Sequence, residues 1–195
     1  MELARVMRIA QLLTDALRPA CERIEIAGSI RRLEPDVGDI EIVFQSKIGP
    51  IESAGTLFPL DGAMIEGAVN DLLESRVLKW DTKIKANGPR HKRLIHRVSG
   101  MAVDLFGATS KNWGYIMAIR TGPAEFSRAL VSAPWAGGVR PIEIGFSEGV
   151  VYRNGESLTL PNETDFFQVL GVPWIPPEKR SLPELFRDRM RGTRA

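Results

Sequence analysis

The chain is short of several things, and each shortage removes a class of explanation. Cys21 is the single cysteine in 195 residues, so no disulfide can form within the chain, and this usage suits a reducing, cytoplasmic setting. It opens a strand-like run and reads as a core-packing residue. No apolar run approaches the ~18 residues that a membrane-spanning helix needs, and the first residues lack the charged-then-apolar layout of a secretion signal. The expectation is a soluble intracellular protein with no membrane partner. His91 and His96 are the only two histidines, and no cysteine or second histidine is suitably spaced to make either a metal ligand, so both are expected as strand or surface residues. An overall basic field is missing too: 26 Lys and Arg against 24 Asp and Glu leave a formal net charge of +2. Any surface for a nucleic acid must therefore come from local clustering. Internal repeats and low-complexity tracts are absent, and 195 residues can bury a core as one domain or as two small subdomains.

What is present is led by acids. Asp39-Ile40-Glu41-Ile42-Val43-Phe44 is apolar at alternate positions, and a strand's period of two puts Asp39 and Glu41 on one face with Ile40 and Ile42 on the other. Neighbouring carboxylates on a strand face repel unless a cation or a donor lies between them. Met101-Ala102-Val103-Asp104-Leu105-Phe106 is a second strand of this kind, whose lone acid could complete a three-carboxylate cluster. Oxygen ligands of this hard type suit magnesium or manganese. Residues 23–27 read as a strand, and the Gly28-Ser29 turn behind it offers backbone amides and a hydroxyl to a phosphate, with Arg32 adding a charge-assisted bond. A phosphate turn joined to paired carboxylates is what metal-assisted phosphoryl transfer needs.

These residues resemble the nucleotidyltransferase superfamily, and specifically the family X DNA polymerases, over nearly the whole chain. Gly28-Ser29 through Asp39 and Glu41 matches the family's Gly-Ser motif and first two metal-binding acids, and Asp104 matches the third. Thr121-Gly122-Pro123-Ala124-Glu125-Phe126-Ser127-Arg128 resembles the family's segment beside the incoming nucleotide. Asp165-Phe166-Phe167 and Leu170-Gly171-Val172-Pro173-Trp174, with Pro177, Glu178 and Arg180, resemble the end of its last subdomain. The resemblance implies an α+β fold, with a polymerase beta-like nucleotidyltransferase palm over 1–107 and a small thumb-like, nucleotide-closing α+β subdomain over 108–195. It implies catalysis and metal binding by Asp39, Glu41 and Asp104, with two Mg2+ ions or Mn2+ in their place, and nucleotide contacts from Gly28, Ser29, Arg32, Gly38, Ile119, Arg120, Thr121, Gly122 and Ser127. The implied partners are a primer-template or gapped DNA duplex and deoxynucleoside triphosphates, and the chain is expected to be a monomer. The implied activity is a DNA-directed DNA polymerase acting at short gaps. Without room for the lyase and helix-hairpin-helix modules of larger members, low processivity is expected.

Departures from the family pattern keep other readings open. Glu41 stands where the polymerases usually carry Asp, Ile119 and Arg120 replace a Tyr-Phe pair, and Ser127 replaces an Asn. Val131 and Ala102 each stand where the family has Arg. One alternative is template-independent end addition, or nucleotidyl transfer to RNA, a protein or a small molecule. Another is an inactive DNA-binding or assembly module.

Periodicity places helices over 2–17 and 61–75, a loop over 47–58, and strands over 77–86 and 91–98 joined by Asn87-Gly88 as a hairpin turn. Helices over 112–119 and 123–133 follow, then strands over 141–146, 149–153 and 156–160, with Asn154-Gly155 as a tight turn. Lys83, Lys85, Arg90, Lys92 and Arg93 straddle the first hairpin. Lys83, Lys85, Arg90 and Lys92, together with Arg128, are candidate contacts to a DNA backbone. Arg187, Arg189, Arg191 and Arg194 make a basic tail. Trp113, Trp135 and Trp174 read as packing residues.

Overall fold

A computed structural model describes residues 1–51 and 60–186. In chain order the elements are α1 (Leu3–Leu17), β1 (Cys21–Ile26), α2 (Gly28–Arg31), β2 (Asp39–Ser46), β3 (Ile48–Ile51), β4 (Leu60–Ala63), α3 (Ile65–Glu74), β5 (Leu78–Trp80), β6 (Asn87–Gly88), β7 (His91–His96) and β8 (Ala102–Gly107). Then follow α4 (Trp113–Thr121), α5 (Ala124–Val131), β9 (Ile144–Ser147), β10 (Val150–Arg153), β11 (Glu156–Ser157) and α6 (Glu163–Val169). They divide into two compact units, Met1–Ile26 with Pro35–Thr109, and Ala27–Glu34 with the chain from Ser110 onward. The Gly28-Ser29 turn thus groups with the second unit, although it lies in sequence among the residues of the first.

The first unit is built on a sheet of order β1-β2-β8-β7-β5, with β6 paired to β7. β2 and β8 run parallel, whereas β1 and β7 flank them antiparallel. Two central parallel strands must bury an apolar face, and Ile40, Ile42, Val103 and Leu105 are fully buried there. α1 packs on β1 and β2 and supplies Val6, Ala10, Leu13 and Leu17 to the core, while Leu12 is left exposed.

Two local expectations are corrected in this unit. The second helix starts at Ile65 rather than at 61, because Leu60–Ala63 pairs with Ile48–Ile51, within the expected loop, as an antiparallel ladder; residues 52–58 of that loop lie outside the described residues. Asn87-Gly88 is not a turn but a short strand, with Asn87 opposite Lys92 and Gly88 opposite His91. The chain reverses at Pro89-Arg90, where proline's fixed φ suits a turn corner better than a strand. A β-carbon on Gly107 would sit 2.1 Å from the Pro89 carbonyl oxygen, so glycine there lets β8 pass beneath that turn.

The second unit packs α4, α5 and α6 with the ladder β11-β10-β9. Its core joins Phe126, Leu130, Val151, Leu160, Phe166 and Phe167. Phe166 and Phe167 meet edge to face with centroids 6.4 Å apart, and Tyr115 stands edge-on to Phe166. α6 begins with a reciprocal capping box between Asn162 and Asp165. Gly114 has no alternative: a β-carbon there would lie 1.9 Å from the Asn162 carbonyl oxygen. Trp113 is buried as expected, but Trp135 is 75% exposed and Trp174 is partly exposed. Trp135 sits on a 3-10 turn (Pro134–Ala136) rather than in a core-facing element, which is why packing does not cover it.

Candidate active site

The acids of the first unit meet through register. β2 pairs with β8 so that Asp39 lies opposite Ala102 and Glu41 opposite Asp104. With period two, Asp39, Glu41 and Asp104 then share one face of neighbouring strands, and Ile40, Ile42, Val103 and Leu105 take the other. Asp39 and Glu41 are half-buried, whereas Asp104 is 3% exposed. Gly38, just before them, has open space where a β-carbon would be.

A buried carboxylate needs partners, and Asp104 finds them on β7. His91 Nε2 lies 2.6 Å from its Oδ1, and the Arg93 guanidinium pairs with its Oδ2 through Nη1. The His91 ring stacks on Phe106 with centroids 4.8 Å apart. Arg93 reaches a second acid as well, its Nε lying 3.3 Å from Asp81 Oδ2. The other Asp81 oxygen accepts bonds from the backbone N–H groups of Lys83 (2.8 Å) and Ile84 (3.3 Å). Those bonds, the Lys83 N–H above all and then the Ile84 N–H, together with Arg93, hold the Asp81 carboxyl below its usual range. Neither His91 nor Arg93 was expected at the acids, yet both share one face of β7 by the same alternation that joined Asp39 to Glu41.

The donor set on β2 and β8 is all-oxygen and fits a magnesium-like ion, and the open flank at Gly38 would admit one. The third carboxylate is nevertheless committed to His91 and Arg93. Among the described residues no group of three or more His, Cys, Asp or Glu side chains is arranged to hold a metal ion. The expected three-carboxylate cluster is therefore brought together in register but not assembled side chain to side chain.

In the second unit, Gly28 takes a positive φ of 63°, a conformation that favours glycine, and opens α2. The Ser29 hydroxyl is buried without a hydrogen-bond partner, which suits a group built to meet an oxyanion. Arg32 donates from Nη1 to the Thr121 carbonyl at 2.7 Å and from Nε to Glu34 at 3.3 Å. Arg31 donates to the Thr121 hydroxyl at 2.8 Å and makes a bidentate pair with Glu163 at 2.9 and 2.7 Å. Arg180, its side chain fully buried, places Nη2 2.8 Å from the same carboxylate and lies over the Phe167 ring at 5.4 Å. Burial pulls the Glu163 pKa upward, but the bonds from Arg31 and the Arg180 charge outweigh it and hold the carboxyl below its usual range.

The structure corrects two expected contacts and qualifies a third. Thr121 is fully buried, with hydroxyl and carbonyl both used on arginines, so its side chain positions Arg31 rather than facing a nucleotide. Lys92 is 2% exposed and pairs inward with Glu66 (2.8 Å) and Asn87 (3.2 Å). It cannot touch a DNA backbone, because its strand position points it under α3. Ser127 turns its hydroxyl onto the Ile119 carbonyl at 2.7 Å. Lys83, Lys85, Arg90 and Arg128 are exposed, and Ile119, Arg120 and Gly122 are half-buried. The basic tail from Arg187 to Arg194 lies outside the described residues.

Known proteins resemble this chain in sequence and in fold. A family model described as the DNA polymerase beta thumb matches residues 117–181. DNA polymerase lambda of Rattus norvegicus is 24% identical over 92% of this chain and 32% of its own length. In sequence and fold the chain is similar to the family X DNA polymerases. It spans about a third of the length of that curated relative. A crystal structure of Leishmania infantum polymerase beta in a ternary P/T complex superposes with a TM-score of 0.69, at 17% identity over 93% of this chain and 76% of the other. The fold is thus the α+β polymerase beta type that the acidic strands and Thr-Gly block implied. No helix among the described residues is long and apolar enough to cross a membrane.

Proposed function

We propose that the chain is the catalytic part of a DNA-directed DNA polymerase that adds deoxynucleotides to a primer 3′-hydroxyl at short gaps, as an intracellular monomer. The observation that carries this reading is the parallel pairing that sets Glu41 opposite Asp104, with Asp39 two residues away on the same face. Asp39, Glu41 and Asp104 would hold two divalent ions. When bound, these supply charge neutralisation at the triphosphate and a lowered pKa for the attacking hydroxyl. The protein's own contribution is positioning and electrostatics. His91 orients Asp104, and the apolar backing of Ile40, Ile42, Val103 and Leu105 fixes the strands that carry the acids. Ser29, with its buried unpartnered hydroxyl, and the backbone at Gly28 supply donors for a phosphate oxygen. Arg32 is held ready by the Thr121 carbonyl. Exposed Lys83, Lys85, Arg90 and Arg128 would meet the DNA backbone without reading sequence.

One observation favours a second reading. Ser127 stands where the family places a side chain at the base's minor-groove edge, and its hydroxyl is spent on Ile119. A chain that does not check the base edge there would tolerate untemplated addition.

Extension of a labelled primer across a one-nucleotide gap, with each deoxynucleotide offered separately in Mg2+ and in Mn2+, tests both. Template-matched addition that disappears in Asp39→Asn is the expected result. Addition independent of the template base would select the second reading. No addition with either metal would overturn both.

A further inference from the structure

We infer that Arg93 is a built-in latch on Asp104, and that a divalent cation enters the acidic face by displacing its guanidinium onto Asp81. The inference rests on the metal-binding part of the proposed function and extends it to residues outside the acid triad. Arg93 sits directly opposite Asp104 in the β7–β8 ladder, so its side chain reaches Asp104 without leaving the sheet face. The pairing is well shielded, with side-chain exposures of 21% for Arg93 and 5% for Asp104. A cation already bound at Oδ2 competes with any metal ion for that oxygen.

The two partners of Asp104 differ in how easily they can leave. His91 is seated by its stack on Phe106 and cannot release Oδ1 without losing that contact. Arg93 has a second acceptor already within reach, since Asp81 Oδ2 is 3.3 Å from its Nε. Asp81 is a fixed receiver, anchored through its other oxygen by the Lys83 and Ile84 amides. There is also room for the movement. Asp81, Arg93, Gly38 and Ala102 line one cleft of about 750 Å³. Ala102 shares the face of Asp104 on β8 and offers only a methyl group there. Metal entry therefore exchanges one charge-assisted pair for another, leaving His91 to hold the carboxylate.

The test reads metal binding rather than turnover. Mn2+ affinity of the DNA-free protein, measured by the electron paramagnetic resonance signal of unbound Mn2+, should tighten about tenfold in Arg93→Gln, the scale of one charge-assisted bond. It should weaken in Asp81→Asn, which removes the carboxylate that already receives the Arg93 Nε. In the double variant the Asp81→Asn effect should vanish, because it acts only through Arg93. A simple loss of nearby charge would weaken binding equally in both backgrounds, and that result would overturn the latch. In the unaltered chain, Mg2+ titration should shift the Arg93 Nε–Hε resonance with the midpoint of metal binding, a readout that needs no variant to fold. A resonance unmoved while Mg2+ binds would also overturn it. If Mn2+ binds the unaltered protein but not more tightly Arg93→Gln, the latch alone fails. If it binds neither, the acids are not a metal site and the proposed chemistry fails with it.

Discussion

Replacing Glu163 by Gln should destabilise the second unit far more than a surface ion pair would suggest. Glu163 stands between two guanidiniums in that cluster, paired with Arg31 on both oxygens and with Arg180 at 2.8 Å. Arg180 has a fully buried side chain, and that of Arg31 is 22% exposed. Neutralising the centre leaves both cations facing each other with little water to screen them. Removing one partner of a buried pair costs about 3–5 kcal/mol; the lower end applies here because Arg31 retains some solvent. For a domain of ~100 residues each kcal/mol moves the melting temperature by about 4–8 °C, so a fall of roughly 15 °C is expected by calorimetry. The acid limb gives an independent check. The Glu163 carboxyl lies below its ordinary value of 4.5 in the folded chain. Its stabilisation is therefore fully present above that value and is lost as pH falls through the folded pKa. As pH falls below 4.5 the unaltered protein should lose stability that Glu163→Gln has already lost. A melting shift under about 3 °C, or parallel acid limbs in the two proteins, would refute the reasoning.

Three further outcomes are expected. Lys83→Ala combined with Lys85→Ala should reduce the slope of log affinity for a DNA duplex against log salt by about 2, near 0.9 per phosphate contact, whereas Lys92→Met should leave that slope unchanged because Lys92 is paired beneath α3. Fluorescence anisotropy over a salt series measures both. Gly114→Ala should cost about 3 kcal/mol or more in denaturant unfolding, since the added carbon would meet the Asn162 carbonyl and neither backbone segment can yield cheaply. Burial pushes the Cys21 thiol up to about 11, so iodoacetamide at pH 8 should label the folded chain slowly and the urea-unfolded chain at the rate of a free cysteine, as followed by mass spectrometry.

Much of the acidic site was legible because alternation is a strong local signal. Asp39-Ile40-Glu41-Ile42 can bury its isoleucines only by showing both acids on one face, and the structure keeps that arrangement. Other features were missed because they rest on capping and turn-corner chemistry, which hydrophobic periodicity does not register. The α6 helix carries its own start signal in Asn162 and Asp165, which periodicity over so short a segment does not reveal. Asn87-Gly88 had the composition of a turn, but the adjoining Pro89 took the corner, since proline cannot donate to the ladder.

The basic residues of β7 show where composition misleads and geometry corrects it. Grouping Lys92 with Lys83, Lys85 and Arg90 as one phosphate-binding cluster treats charge as the deciding property. Strand period divides them instead: His91 and Arg93 fall on one face, Lys92 and Leu94 on the other. Leu94 is fully buried, so the Lys92 side of the strand is the core side, and a lysine there must find a partner such as Glu66 or leave its charge unsatisfied. The opposite face is then the one that continues onto Asp104, because β7 and β8 are neighbours in the sheet and cross-strand partners share a face. The same rule that pairs Asp39 with Glu41 thus separates Lys92 from Arg93, and sends the arginine, not the lysine, to the acids.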